Sequence, residues 1–177
     1  MAQAVGLETT ARARPAVRVT FEQFLELAGE PSHSEWVDGE VIILSPSSDL
    51  HQEIVELLLF LLKPIVQRHG FGRVHVAPFP MRLPGLDRAR EPDLLFVRQD
   101  RLHLLKETHL DGAADLVIEV TSRESFARDR GEKFLEYETA GVSEYWLIDP
   151  DRQQVELYRL GPGGRYSPAS LTGDGRL

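Results

Sequence analysis

The chain has 177 residues, 42% of them hydrophobic, enough for one domain with a real core and too few for two ordinary ones. A net charge of −8 argues against a protein that coats nucleic acid through an evenly basic face. The absence of cysteine excludes disulfides, thiolate metal sites and cysteine nucleophiles, and fits a reducing, cytoplasmic setting.

Residues 1–17 read as an N-terminal arm, which Val17 and Val19 could extend into a strand. In "TFEQFLELAGEP" the Thr20/Gln23 spacing is a capping box, Phe21, Phe24, Leu25 and Ala28 share one face, and Gly29 and Pro31 stop the helix. "EWVDGEVIILSP" reads as two strands around an Asp38-Gly39 hairpin turn. "SSDLHQEIVELLLFLLKPIVQRHG" is a long core helix with Ile54, Leu57, Leu58, Leu61, Leu62 and Ile65 on one side, a kink at Pro64 and a stop at Gly70. Glu56 and the Lys63-Pro64 pair interrupt its apolar run, so no stretch reaches the roughly twenty residues of a membrane span. The N-terminus also lacks the apolar stretch of a secretory signal.

"RVHVAPFPMRL", "DLLFV" and "DLVIEV" follow as three short strands. "ESFARDRGEKFLEYETAGV" has helical spacing through Phe126, Phe134, Leu135 and Tyr137 and ends at Gly141. "SEYWLIDP" and "QQVELYRL" form a hairpin across "DPDR", and the loop-rich tail, residues 161–177, has room for one edge strand. The expected architecture is a single α/β domain over residues 18–160, a mixed sheet flanked by helices.

Basic residues fall in three groups: Arg12, Arg14 and Arg18; Arg82, Arg88 and Arg90; and Arg123, Arg128, Arg130 and Lys133. Each is either ordinary solvated surface or part of a local basic rim. Glu119 stands inside the apolar run Leu116 to Val120, sharing a strand face with Val117 and Thr121. A buried, unpaired carboxylate costs several kcal/mol, so either that face is wet or a cation such as Arg123 or Arg130 compensates it. A second acid, Asp93, opens another strand directly after Pro92. Two adjacent strands each presenting one acid can make a hard oxygen site suited to Mg²⁺, which needs few protein ligands.

Pro-Asp before one strand, an acid within the next and then a helix resembles the PD-(D/E)XK nuclease superfamily with its restriction-endonuclease-like fold. More closely, "EWVDGEVIILSPSSDLHQEIVELL", "EPDLLFV", "DLVIEVTSRES" and "RDRGEKFLEYETAGVSEYWLIDP" are similar to the Uma-family restriction endonucleases of bacteria. The likeness covers Thr20 to Leu160. It implies a metal-dependent endonuclease acting on nucleic acid, DNA first, with Asp93, Glu119 and the Val120 backbone carbonyl holding Mg²⁺ or Mn²⁺. The superfamily lysine normally stands two positions after the acid, where this chain has Thr121. In the Uma-like pattern it moves to the next helix and matches Lys133, one of three lysines in the chain. Lys133 would then orient the attacking water or neutralise transition-state charge; otherwise it is a solvent-facing lysine beside Glu132 and Glu136. Glu35 matches an acid that completes the metal sphere, with Glu40 as its rival. His51 matches a histidine that contacts phosphate, tunes an acid, or caps and packs at the helix start.

Two other classes of function compete. A scaffold or binding module that keeps the fold without cleavage is favoured by the missing lysine at position 121 and by the acidic charge, and metal binding without cleavage would identify it. A glycosidase using Asp93 and Glu119 as acid and base is disfavoured by a chain with two tryptophans for sugar stacking. No phosphate-binding glycine loop is present, which disfavours nucleoside triphosphates. For a nuclease this acidic, target choice calls for a groove, a homodimer interface or a partner protein.

Overall fold

The computed structural model describes residues 18–27 and 33–169. The arm, the expected helix stop at Gly29 and Pro31, and the last residues of the tail lie outside them. Helix α1 (Phe21–Leu27) starts at the capping box: the Gln23 amide donates to Thr20 Oγ1 and the Thr20 amide to Gln23 Oε1. It buries Phe21 and Phe24 against Trp36 and Ala89. Strands β1 (Ser34–Val37) and β2 (Glu40–Ile43) pair across Asp38 and Gly39, both at positive φ as a tight two-residue hairpin requires. Val19 does not extend a strand; its amide donates to the Gly39 carbonyl, and its own carbonyl accepts from the Trp36 indole.

Helix α2 (Asp49–His69) is capped by Ser48, whose hydroxyl accepts from the His51 amide, and closes on left-handed Gly70. It runs unbroken through Pro64 as one helix. It is not the core helix that its composition suggested. Only Val55 and Val66 are buried, and Leu57, Leu61 and Ile65 face solvent. The helix is too apolar for periodicity to reveal which side packs.

The segment expected to form one strand at 73–83 makes two, β3 (Gly72–Val76) and β4 (Met81–Leu83), because Pro78 and Pro80 between them cannot donate to a ladder. Strands β5 (Arg88–Arg90), β6 (Leu94–Arg98), β7 (Leu110–Asp111) and β8 (Leu116–Val120) follow. The expected helix over 124–141 is two pieces, α3 (Phe126–Arg130) and α4 (Glu132–Ala140), divided at Gly131. A Cβ there would lie 2.8 Å from the Ala127 carbonyl oxygen. Strands β9 (Glu144–Asp149), β10 (Gln154–Leu160) and the edge strand β11 (Tyr166–Pro168) complete the chain.

The strands form two mixed sheets where one was expected. The first has order β2-β1-β5-β4-β7, and the second β11-β10-β9-β8-β6-β3. In the second, β8 lies between β6 (antiparallel) and β9 (parallel), and α3 and α4 make the crossover that a parallel pair needs. One core joins the sheets: Met81, Leu83 and Leu110 from the first pack with Leu95, Val97, Val117, Tyr145 and Leu147 from the second and Tyr137 from α4. The fold is therefore a single α/β domain. All four tyrosines lie together, with the Phe134 ring edge-on to Tyr145, Tyr158 and Tyr166 and Tyr137 edge-on to Tyr145.

The β3–β6 ladder depends on Gly72, which has φ +152° and whose added Cβ would come 1.9 Å from the Val97 carbonyl oxygen. Gly72→Ala should lower stability by about 3 kcal/mol in urea denaturation. Gly85→Ala, into open space, should change it by less than about 0.5 kcal/mol.

Candidate active site

Strand register brings the predicted acids together from both sheets. In the second sheet Leu94 pairs with Ile118, so one step further along the ladder Asp93 comes level with Glu119. In the first sheet Trp36 pairs with Ala89, so one step further Glu35 comes level with Arg90. The short run Arg90-Glu91-Pro92-Asp93 connects the two ladders. It carries the chain from one sheet to the other and sets its three charged side chains at the junction.

Lys133 closes the arrangement from the first turn of α4. Its ammonium is 2.9 Å from Glu35 Oε1 and 2.9 Å from Glu119 Oε1, and 3.6 Å from Asp129 Oδ1. The lysine is only 3% exposed. The Tyr137 hydroxyl, one turn along α4, also donates to Glu119 Oε1 at 2.8 Å. Asp93 Oδ2 accepts from the Val120 amide at 2.7 Å and lies 3.1 Å from His51 Nε2. On the far side of Glu35, buried Arg90 donates to Glu35, Glu132 and Glu136.

These contacts shift the proton affinities of the cluster. Burial pushes Glu119 up to about 8, against the pull of Lys133. Burial works against the Lys133 charge as well, yet Glu119, Glu35 and Asp129 hold its pKa above the ordinary lysine value. Burial likewise raises Asp129. For Glu35 burial is outweighed by Lys133 and Arg90, and its pKa is lowered. The hydrogen bond to Asp93 raises His51 despite partial burial.

The structure thus brings together Asp93, Glu119, Lys133 and Glu35, with His51 on Asp93 and the Val120 backbone beside it. Glu40, the rival of Glu35, is exposed on β2. The face of Glu119 is not wet, and the arginines considered for it are committed elsewhere: Arg123 to Asp151 and Arg130 to Glu156. Lys133 is not solvent-facing, and its expected neighbours Glu132 and Glu136 bind Arg90 instead. The Arg82, Arg88 and Arg90 group is structural. Arg88 bonds Asp38 and Glu136, and Arg82 lies over the Phe21 ring. Three residues of the site escaped the sequence reading: Asp129, Tyr137 and Arg90. Asp129 stands four residues before Lys133, across the break at Gly131, and Tyr137 four after it on α4; the four-residue spacing still brings Asp129 to the ammonium.

A cleft of about 670 Å³ opens over this cluster, lined by Asp93, Glu119, Lys133 and Asp129, by the hydroxyls of Ser45, Ser48 and Ser122, and by Arg123 and Arg128. Its donors are hard oxygens, suited to Mg²⁺ or Mn²⁺. Asp129 is 1% exposed and its Oδ1 has no hydrogen-bond partner among the described residues. That oxygen, with the Lys133 ammonium 3.6 Å away but no hydrogen bond, has a lone pair that a divalent cation would satisfy. Among the described residues no three acidic or histidine side chains already converge on one point, because the Lys133 ammonium separates Glu35 from Glu119. A cation held by two carboxylates and completed by water fits such a site.

The sequence profile of the Uma2 family, described as "Putative restriction endonuclease", matches residues 21–177. No curated protein matches the chain. Among solved structures, the fold is similar to that of a "putative nuclease belonging to DUF820" from Anabaena variabilis ATCC 29413, with a TM-score of 0.71 and 22% identity over 85% of this chain and 83% of that one. The single mixed α/β domain with flanking helices expected from the sequence is the observed fold, with two sheets in place of one, and it matches the fold of that neighbour.

Arg90 is fully buried among three acids. Arg90→Ala should therefore cost about 3–5 kcal/mol, since it takes a partner from the buried Glu35 carboxylate and breaks the tie to Glu136. Arg98→Ala removes an ion pair with Asp100 that is exposed on both sides and should cost less than about 1 kcal/mol in the same denaturation measurement.

Proposed function

The chain belongs to the Uma2 family, and from that premise we propose that it is a Mg²⁺- or Mn²⁺-dependent endonuclease hydrolysing phosphodiester bonds in DNA. The observation that carries this reading is the buried Lys133 ammonium, held between Glu35 and Glu119 on the floor of a cleft that Asp93 also lines. Burying a lysine with three carboxylates, Glu35, Glu119 and Asp129, at a sheet junction gains little stability, since apolar side chains of similar volume do as well or better, and that favours a functional role.

Asp93, Glu119 and the Val120 backbone would hold the cation, which supplies an activated water and stabilises charge on the scissile phosphate. The other groups have roles set by their chemistry. Lys133 keeps its proton in this surrounding, so it acts as a fixed positive charge rather than as a base, stabilising the extra negative charge of the pentacovalent phosphorus. Glu35 holds the ammonium in place from the first sheet and is itself held by Arg90. Tyr137 orients Glu119 through its hydroxyl. His51 orients Asp93, with the Val120 amide as a second anchor. Asp129, 3.6 Å from the ammonium, adds a third negative group around it. Arg123 and Arg128, with the serine hydroxyls, would receive the phosphates flanking the scissile one.

A cytoplasmic site of action, where DNA is accessible, is part of the proposal; among the described residues no helix is long and apolar enough to cross a membrane. One observation favours the scaffold reading. The Lys133 bridge fills the space between Glu35 and Glu119, a closed arrangement that a non-catalytic binding module would also keep.

Two measurements test the proposal. Mn²⁺ or Mg²⁺ should raise the melting temperature of the wild type by mass action, and Asp93→Asn should abolish the rise; an unchanged rise would remove Asp93 from the site. In metal-dependent cleavage of single- and double-stranded DNA at low salt, Lys133→Ala should lose about a hundredfold or more in rate while keeping the metal-induced melting shift. Lys133→Arg should recover little, because a planar guanidinium does not copy a compact ammonium. Metal binding by the wild type with no cleavage of any DNA would establish the scaffold reading instead.

A further inference from the structure

Helix α2 leaves its apolar side open. Leu57, Phe60, Leu61 and Ile65 are each more than half exposed, with Phe60 at 75%. Leu50 at its start and Phe71 just beyond its end are also more than half exposed. Leu50, Leu57, Pro64 and Phe71 recur at heptad spacing with Phe60 and Leu61 between them, so the row is a continuous seam along the helix. A seam of this kind on a lone molecule marks an interaction surface.

The charges flanking the seam are sorted by position. Asp49, Glu53 and Glu56 occupy the first half of the helix, and Lys63 and Arg68 the second. Among the described residues Glu53, Glu56, Lys63 and Arg68 form no ion pair within the chain. A surface that is acidic at one end and basic at the other is complementary to itself when one copy is reversed. A parallel copy would set acid against acid.

We infer that a second copy of this chain covers the seam, the two α2 helices packing antiparallel about a two-fold axis between Phe60 and Leu61. In that register Phe60 of one copy meets Leu61 of the other, Leu57 meets Pro64, and Leu50 meets Phe71. Glu53 comes opposite Arg68, and Glu56 within one turn of Lys63, each pair formed twice. The helix dipoles also oppose one another favourably. Because α2 begins at the cleft, with His51 on Asp93, the two clefts lie at opposite ends of the seam, roughly 30 Å apart along the helix axis. The inference does not depend on what the cleft does.

The full chain in sedimentation velocity at micromolar concentration should give a species of twice 20.0 kDa. Phe60→Glu should return it to a monomer with unchanged circular dichroism, and the dependence of the wild-type melting temperature on protein concentration should be lost with the dimer. Glu53→Arg and Arg68→Glu should each weaken the dimer by about tenfold or more, since two attractive pairs become repulsive, and the two changes combined should restore it. The chain has no cysteine, so single cysteines report position without background. Phe60→Cys should form a disulfide-linked dimer under mild oxidation, and Leu50→Cys should not. The inference is overturned by a monomeric wild type, by a dimer that Phe60→Glu leaves intact, by a double charge exchange that fails to restore association, or by Leu50→Cys linking as readily as Phe60→Cys. If a monomeric wild type dimerises on removal of residues 1–17, the arm is the occupant and the inference fails for the full chain.

Discussion

The arrangement of this molecule depends on one buried cation. Lys133 bonds Glu35 from one sheet and Glu119 from the other, so a single ammonium spans the junction between them. Neither acid could be buried there in charged form without it, given what desolvation costs a carboxylate. Arg90 does the same on the other side of Glu35, tying the first sheet to α4 through Glu132 and Glu136. Acidic and basic side chains thus alternate from α4 through Glu35 and Lys133 to Glu119. The sheets are held by apolar packing at the core and by this chain of opposite charges at the cleft.

Much of the local structure was legible because it rests on short-range rules. The capping box at Thr20, the Asp38-Gly39 hairpin, the Ser48 to Gly70 bounds of α2 and the strands around Asp93 and Glu119 follow from turn chemistry and alternation. Asp93, Glu119, Lys133 and Glu35 converge because motif order carried information that composition did not. What escaped was set by distance in space. No sequence rule says that β3 and β4 join different sheets, or that Arg90, apparently one of a surface trio, passes inward between three acids. Asp129 and Tyr137 were readable in principle, four residues either side of Lys133, but only once Lys133 was known to face inward.

The reading of α2 failed for a different reason. Eight of its residues are leucine or isoleucine and one is phenylalanine, so almost any side of it looks suitable for a core. Burial selected the side carrying Val55 and Val66, against β3 and β8. Hydrophobic content fixes how much surface seeks cover, and the geometry of the neighbouring strands decides which part receives it within one chain.

The aromatic cluster has a spectroscopic consequence. All four tyrosines lie in one group against the second sheet, and the Tyr137 hydroxyl is bonded directly to Glu119. The two tryptophans are divided, Trp36 on β1 in the first sheet and Trp146 on β9 in the second. Tyrosine absorbance is thereby a native reporter of the second sheet beside the cleft floor, and tryptophan emission combines one indole from each sheet. The molecule carries its own pair of optical labels, one for each half of its architecture.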